Sequence, residues 1–208
     1  MSVYAIGITG GSGAPYALRL MEALVAEGHE LHVVISPSAE KVFRLETGVN
    51  LGSSIGEKEA AFSRVVETDD KEGSIRVFDH QNLAAPVSSG SFPCAGMVVV
   101  PCSMGSLGRI AAGVSSNLIE RAADVALKER RPLVLVPRET PLSDIHLENM
   151  LRLRRAGADI VAAMPAFYHR PKTIADMVDM IVARVLDRLE IENSLFHRWG
   201  KNPAGDDD

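Results

Sequence analysis

"YAIGITGGSGAPYALRL", residues 4–20, reads as an apolar strand, a glycine-rich turn and the start of a helix. Val3 to Ile8 is β-prone and stops at the glycines. Leu18, Met21, Leu24 and Val25 then recur at helical spacing up to Ala26. "LHVVIS", 31–36, is the next buried strand. "PSAEKVFRLETG", 37–48, is a helix with Pro37 near its first position and Gly48 just past its end. Strand, helix, strand, helix dictates a parallel sheet with right-handed crossovers. The alternation recurs downstream: "MVVVP" (97–101), "LVLVPR" (133–138) and "DIVAAMP" (159–165) read as strands, and "SIRVF" (74–78) as a short one. Helices are expected at 105–112, 117–129, 146–156 and 173–189, with a surface helix near Lys58 to Val66 in an otherwise aperiodic 50–74. The expected fold is α/β: a three-layer, doubly wound parallel sheet of Rossmann-like or flavodoxin-like type. Residues 1–192 form one domain, and 193–208 an extension whose end, "KNPAGDDD", has the composition of a disordered tail.

The bulk numbers narrow the classes. A chain of 208 residues suffices for one well-buried domain, and 46% hydrophobic with 24% charged residues is an ordinary globular balance. A net charge of −5 disfavours a nucleic-acid partner. Cys94 and Cys102 are too few for a disulfide framework and lack metal-site spacing, which leaves packing as their role. No basic stretch followed by an apolar core precedes the first strand, and the apolar runs are strand length. A soluble cytoplasmic protein with no membrane partner is expected.

In such sheets, ligands bind beyond the carboxyl ends of the strands. After the first strand comes "TGGSGAPY", whose backbone N–H groups and helix N-terminus suit a phosphate. The turn lacks the lysine of a P-loop. Tyr16 stands where the third glycine of G-x-G-x-x-G would fall, and the second strand ends at Ser36 rather than an acid. A nucleotide triphosphatase and an NAD dehydrogenase are thereby disfavoured; a purely structural turn is the plain alternative. Ser36 itself reads best as a helix cap. Glu46 puts its charge at the negative end of its own helix, which points to another purpose or to a solvated face. In "CSMGSLGRIAAG", Ser103, Gly105 and Ser106 crowd a helix start, a second donor-rich turn that together with the first suggests a mononucleotide. Arg138 and Glu139 of "RETPLS" sit at the mouth of the sheet. Arg121 and Lys128 are about two turns apart on one helix face. Tyr168, His169 and Arg170 follow the last strand, the histidine reading as a surface or packing residue. Arg184 is a cation among apolar neighbours, which calls for an anion or a snorkelling side chain. These cations suggest a second, smaller anion such as a phosphate or pyrophosphate leaving group; no Asp-rich pair for Mg²⁺ is present.

"GITGGSGAPY", "SSGSF", "PCSMGSLGRIAAGVSSNLIERAADVALKERRPLVLVPRETPLS", "HLENMLRLRRAGADIVAAMPAFYHRP" and "ARVLD" closely resemble the flavin prenyltransferases of the UbiX/Pad type, in order over about residues 3–190. The related flavin-containing cysteine decarboxylases share the glycine turn and the P-x-S turn. They carry P-x-M-N where this chain reads "VPRETP", which separates the two. The resemblance implies transfer of a dimethylallyl group from dimethylallyl phosphate to N5 and C6 of reduced FMN. The product, prenylated FMN, serves UbiD-type decarboxylases. It also implies a metal-independent dodecamer with sites between subunits. By its motifs, Gly10, Gly11, Ser12, Ser36, Ser103, Met104, Gly105, Ser106 and Arg138 hold FMN. Ser89, Gly90, Arg121, Lys128, Glu139, Tyr168 and Arg184 surround the allylic phosphate. The catalytic set is Glu139, Ser12, Glu46, Lys128 and Tyr168, with Ser12 and Glu46 near the flavin N5 and either Glu139 or the released phosphate taking the C6 proton. Trp199 resembles a C-terminal aromatic that covers the prenyl chain. Gly11 stands where the family often has alanine, and Pro15 where it varies; neither removes a donor or a charge. A non-catalytic FMN carrier and a direct flavin-dependent decarboxylase are the rival readings, the first disfavoured by the cations and Glu139, the second by the lack of a decarboxylation constellation.

Overall fold

The computed structural model describes residues 1–67 and 72–196; Trp199 and the tail 201–208 lie outside the described residues. In chain order the elements are β1 (Val3–Ile8), α1 (Ala14–Ala26), β2 (Glu30–Ile35), α2 (Pro37–Thr47), α3 (Ile55–Val66), β3 (Ser74–Phe78), a 3-10 turn (Pro86–Ser88), β4 (Gly96–Cys102), α4 (Met104–Ala111), α5 (Leu118–Lys128), β5 (Leu133–Pro137), α6 (Asp144–Ala156), β6 (Asp159–Ile160) and α7 (Ile174–Arg188). The strands form one sheet in the order β3-β2-β1-β4-β5-β6, with every pair parallel. This is the Rossmann order, and it reverses direction between β1 and β4. The crevice at the carboxyl ends of those two strands is where the fold invites a ligand.

Side chains alternate across the sheet with the strand period of two. Tyr4, Ile6, Ile8, Val98, Val100, Val134 and Val136 pack with α1, α2, α3 and α7 on one face. Ala5, Met97, Val99, Leu133 and Leu135 pack with α4, α5 and α6 on the other. Cys102 is buried in this second layer, and burial pushes its thiol up to about 12, so it packs rather than reacts. Both cysteines are free thiols. No helix among the described residues is long and apolar enough to cross a membrane.

Two elements differ from the sequence expectation. The strand expected at 159–165 is regular only over Asp159–Ile160. Val161 and Ala163 still donate to Leu135 and Pro137 at 2.9 and 3.0 Å, but β6 is the sheet edge and Met164 N turns back onto Ala162 O at 2.7 Å. The helix expected near Lys58 begins at Ile55, because Ser54 and Glu57 form a reciprocal capping box. The remaining ends shift by one or two residues as caps take their places: Ser36, Ser103, Asn117 and Ser143 all accept a backbone N–H from the first turn of the helix that follows.

Candidate active site

The site begins where β1 and β4 part. Thr9 Oγ1 donates to Pro101 O at 2.8 Å and accepts from Ser103 N at 2.7 Å, stitching the two strand ends together. Sequence reasoning missed Thr9; its signal was a hydroxyl placed directly after the first strand, opposite the second donor-rich turn. Gly10 lies close against α2, where a Cβ would come within 2.7 Å of Ser38 Oγ. Gly13 has φ 134°, a conformation open to glycine and strained for other residues. At Gly11 a Cβ would meet nothing nearer than 3.5 Å, so alanine fits there.

Glu46 accounts for its awkward place on α2. Its Oε2 accepts from Gly13 N at 2.9 Å and Ala14 N at 2.8 Å, so the carboxylate caps a different helix, α1, at the positive end. Desolvation works against the charge. The Ser12 hydroxyl, the two backbone N–H groups and the Arg138 charge outweigh it and hold the carboxyl below its usual range. Arg138 in turn donates from Nε to Ser12 O at 3.3 Å. Ser12, Glu46 and Arg138 are thus one hydrogen-bonded unit around the start of α1. The first-turn donors of α1 are already engaged by a carboxylate. At α4 the situation differs. Ser103 Oγ accepts from Ser106 N at 3.3 Å and Ser103 O accepts from Leu107 N at 2.9 Å, while the N–H groups of Met104 and Gly105 carry no hydrogen bond among the described residues. Those two N–H groups are available to an anion. Ser36 Oγ caps α2 through Ala39 N at 3.2 Å and lies 3.1 Å from Ser38 Oγ. Glu139 follows Arg138 at the same edge, its Oε1 accepting from Thr140 N at 3.2 Å.

A second cluster lies along α5. Arg121 Nε donates to Ser88 O at 3.1 Å and its Nη1 pairs with Asp124 at 2.9 Å. Lys128 pairs with Glu129, and a Cβ on Gly90 would sit 2.6 Å from Lys128 Nζ. Gly90 O accepts from Arg131 Nη2 at 2.5 Å, and Ser89 Oγ is 3.0 Å from Ser91 Oγ. This loop leads into β4 and Arg131 leads into β5, so Gly90 and Lys128 lie toward the amino ends of the strands. β4 has seven residues at about 3.3 Å each, which sets the two ends of the sheet roughly 20 Å apart. Arg184 is on α7, packed on the opposite face from α5, and pairs with Asp187 at 3.1 Å. Tyr168 is 45% exposed, its ring against that of His169. One copy of the chain therefore unites the predicted flavin residues with Glu46 and Glu139, and separately unites Ser89, Gly90, Arg121 and Lys128. It sets Gly90 and Lys128 at the opposite end of the sheet from the flavin residues, and Arg184 on α7 across the sheet from α5.

The sequence profile of the flavoprotein family matches residues 3–186. A flavin prenyltransferase UbiX of Pseudomonas aeruginosa is 49% identical over 196 residues, which are 94% of this chain and 93% of the relative. The chain belongs to the flavin prenyltransferase family. Among solved structures, AnUbiX (PadA1) in complex with FMN and dimethylallyl pyrophosphate superposes on this flavin prenyltransferase with a TM-score of 0.85 at 40% identity, covering 97% of this chain and 99% of the other. A dodecameric FMN-dependent UbiX-like decarboxylase from Escherichia coli O157:H7 gives 0.81 at 43% identity, covering 95% and 98%.

Proposed function

We propose that the enzyme joins the dimethylallyl group of dimethylallyl phosphate to N5 and C6 of reduced FMN, giving prenylated FMN for a UbiD-type decarboxylase. The related AnUbiX complex, which holds FMN and the corresponding pyrophosphate, supports the ligand pair. The residues present fit FMN: the unengaged N–H groups of Met104 and Gly105 suit its phosphate, and Gly10 lets the first turn lie close against α2 beside them. Gly10, Gly11, Ser12, Ser36, Ser103, Met104, Gly105, Ser106 and Arg138 are the proposed binding set. When bound, the reduced flavin supplies the nucleophilic atoms that accept the prenyl group.

The protein's own part is electrostatic and acid–base. Arg121, Lys128, Arg184 and the Tyr168 hydroxyl, with Ser89 and Gly90, stabilise the phosphate as the allylic C–O bond breaks. Ser12 donates to Glu46, and this pair holds and relays a proton at N5. In this proposal Glu139, or the released phosphate, takes the C6 proton. The observation that carries the reading is the partition of these side chains over two ends and two faces of one sheet. A ligand that needs all of them needs more than one copy. A homododecamer like that of the Escherichia coli relative meets the requirement. Ile145, Leu147 and Leu151 of α6, with Met164 and Phe167, are exposed apolar side chains suited to contacts between copies. The same reading takes residues 1–192 as one flavoprotein domain working in the cytoplasm, in keeping with its two free thiols.

The test is an anaerobic incubation of the protein with reduced FMN and, in parallel, dimethylallyl phosphate or its pyrophosphate. The extracted flavin is then weighed by mass spectrometry. A flavin heavier by one prenyl group is the expected result. Unmodified flavin with both donors, from folded and FMN-loaded protein, overturns the reading.

A further inference from the structure

Glu120 is 1% exposed, and no other carboxylate among the described residues is so deeply buried. It stands in the first turn of α5 among the buried Leu118, Ile119 and Ala123. Its Oε2 accepts from the N–H of Ser116 at 2.9 Å and from the Ser116 hydroxyl at 2.6 Å, and its Oε1 accepts from Arg109 Nε. Together with the Asn117 side chain, these contacts outweigh the desolvation of the carboxyl and keep it ionised. The other arm of the Arg109 guanidinium reaches back to the start of α4, where Nη2 donates to Ser106 Oγ at 3.2 Å. Ser103 Oγ donates to the same oxygen at 3.0 Å.

The hydroxyl inventory at this turn then has one solution. Ser106 Oγ accepts two hydrogen bonds, one from Arg109 and one from Ser103, which fill its two lone pairs and leave its O–H proton uncommitted. Ser103 has committed its proton to Ser106. We propose that Glu120 and Arg109 are a positioning pair that fixes Ser106 as a hydroxyl donor to bound FMN. This rests on FMN binding at the carboxyl edge. Arginine suits the task because its planar fork holds a carboxylate with one N–H and a hydroxyl with another; the compact ammonium of lysine offers no such fixed pair of directions. Glu120 is buried but the Arg109 side chain is 48% exposed, so the ion pair itself adds little stability and matters through what the guanidinium holds.

The experiment is a thermodynamic cycle on FMN affinity, read by quenching of flavin fluorescence on the full chain. Ser106→Ala and Arg109→Lys should each weaken FMN by about tenfold. The double variant should bind no more weakly than either single one, because both break the same contact. Arg109→Lys keeps a cation for Glu120, so its melting temperature should stay near that of the unsubstituted protein. Losses that multiply to about a hundredfold, or Ser106→Ala that binds FMN as tightly as the parent, overturn the positioning pair. Ser106→Ala deletes one oxygen and decides the matter alone if Arg109→Lys does not fold. Parent protein that binds no FMN overturns the functional reading instead, and the two failures are told apart by that control.

Discussion

The carboxyl-edge cluster and the α5 cluster are built in opposite ways. At the edge, Ser12, Glu46, Arg138, Thr9 and Ser103 satisfy one another through contacts between four different elements, and the N–H groups of Met104 and Gly105 sit side by side with no hydrogen bond among the described residues. Along α5, the cations are about 36% and 45% exposed and pair with acids one or three residues away, Arg121 with Asp124 and Lys128 with Glu129. Such exposed local pairs are weak and readily exchanged for another anion. The first cluster is held together within one chain. On the proposed function, the loose local pairs of the second would release their charges to a phosphate and a neighbouring copy.

That contrast breaks most visibly in turnover. Lys128→Met should lower product formation by a hundredfold or more, on the order of what loss of one charge-stabilising donor costs, while FMN affinity stays unchanged. Glu139→Gln should lower it by about a hundredfold through loss of the base, again with FMN bound. Single-turnover mass analysis of the extracted flavin, beside an FMN titration, measures both. The two inactive variants also test the division between copies. Co-expressed, they should assemble into mixed oligomers in which some sites receive an intact Lys128 from one copy and an intact Glu139 from another. Activity above that of either variant is expected. Mixed oligomers as inactive as their parents would mean that each site draws both residues from the same chain.

The sheet was legible because buried parallel strands read as unbroken apolar runs, and each ended at a recognisable turn or cap. "DIVAAMP" misled for the same reason: its apolar run continues beyond Ile160, but an edge strand has one neighbour and the ladder loosens there. Residues at strand ends were legible as candidates, since topology alone places them at the crevice. What Glu46 does was not. Its partners lie 32 and 33 residues away on another helix, and nothing local to α2 announces them. Glu120 and Arg109 were hidden likewise, eleven residues apart across a loop whose path the sequence does not specify. The separation of Lys128 from Glu139 needed the structure, because strand length and facing decide it.

Glycine substitutions sharpen the same comparison at smaller scale. Gly10→Ala would bring a Cβ to 2.7 Å from Ser38 Oγ and 3.0 Å from Ser38 Cβ, forcing apart β1 and α2 at the proposed flavin site. An overpacking cost of about 1–2 kcal/mol should appear as roughly tenfold weaker FMN binding. Gly11→Ala, with its nearest contact at 3.5 Å, should bind FMN as the parent does. On the α5 side, a Cβ at Gly90 would meet the flexible ends of Lys128 and Glu129, so Gly90→Ala should disturb turnover without lowering FMN affinity. Equal losses of FMN affinity from Gly10→Ala and Gly90→Ala, in one titration series, would erase the distinction between the clusters.

The smallest expected effect concerns the reason the edge cluster is preformed. If the Glu46 charge caps α1, Glu46→Gln should lower stability at neutral pH by about 1 kcal/mol, the usual scale for a helix cap. The carboxyl is held below its ordinary range in the folded chain, so its contribution is full above that range. As the pH falls through the ordinary carboxylate range to the lowered folded value, the contribution disappears. The variant has nothing to titrate at this position. The gap between the two melting temperatures should therefore be widest at neutral pH and close in acid. A gap that persists unchanged into acid would assign the cap to the shape of the side chain and its hydrogen bonds, and the preorganisation of the edge would no longer depend on a charge borrowed from α2.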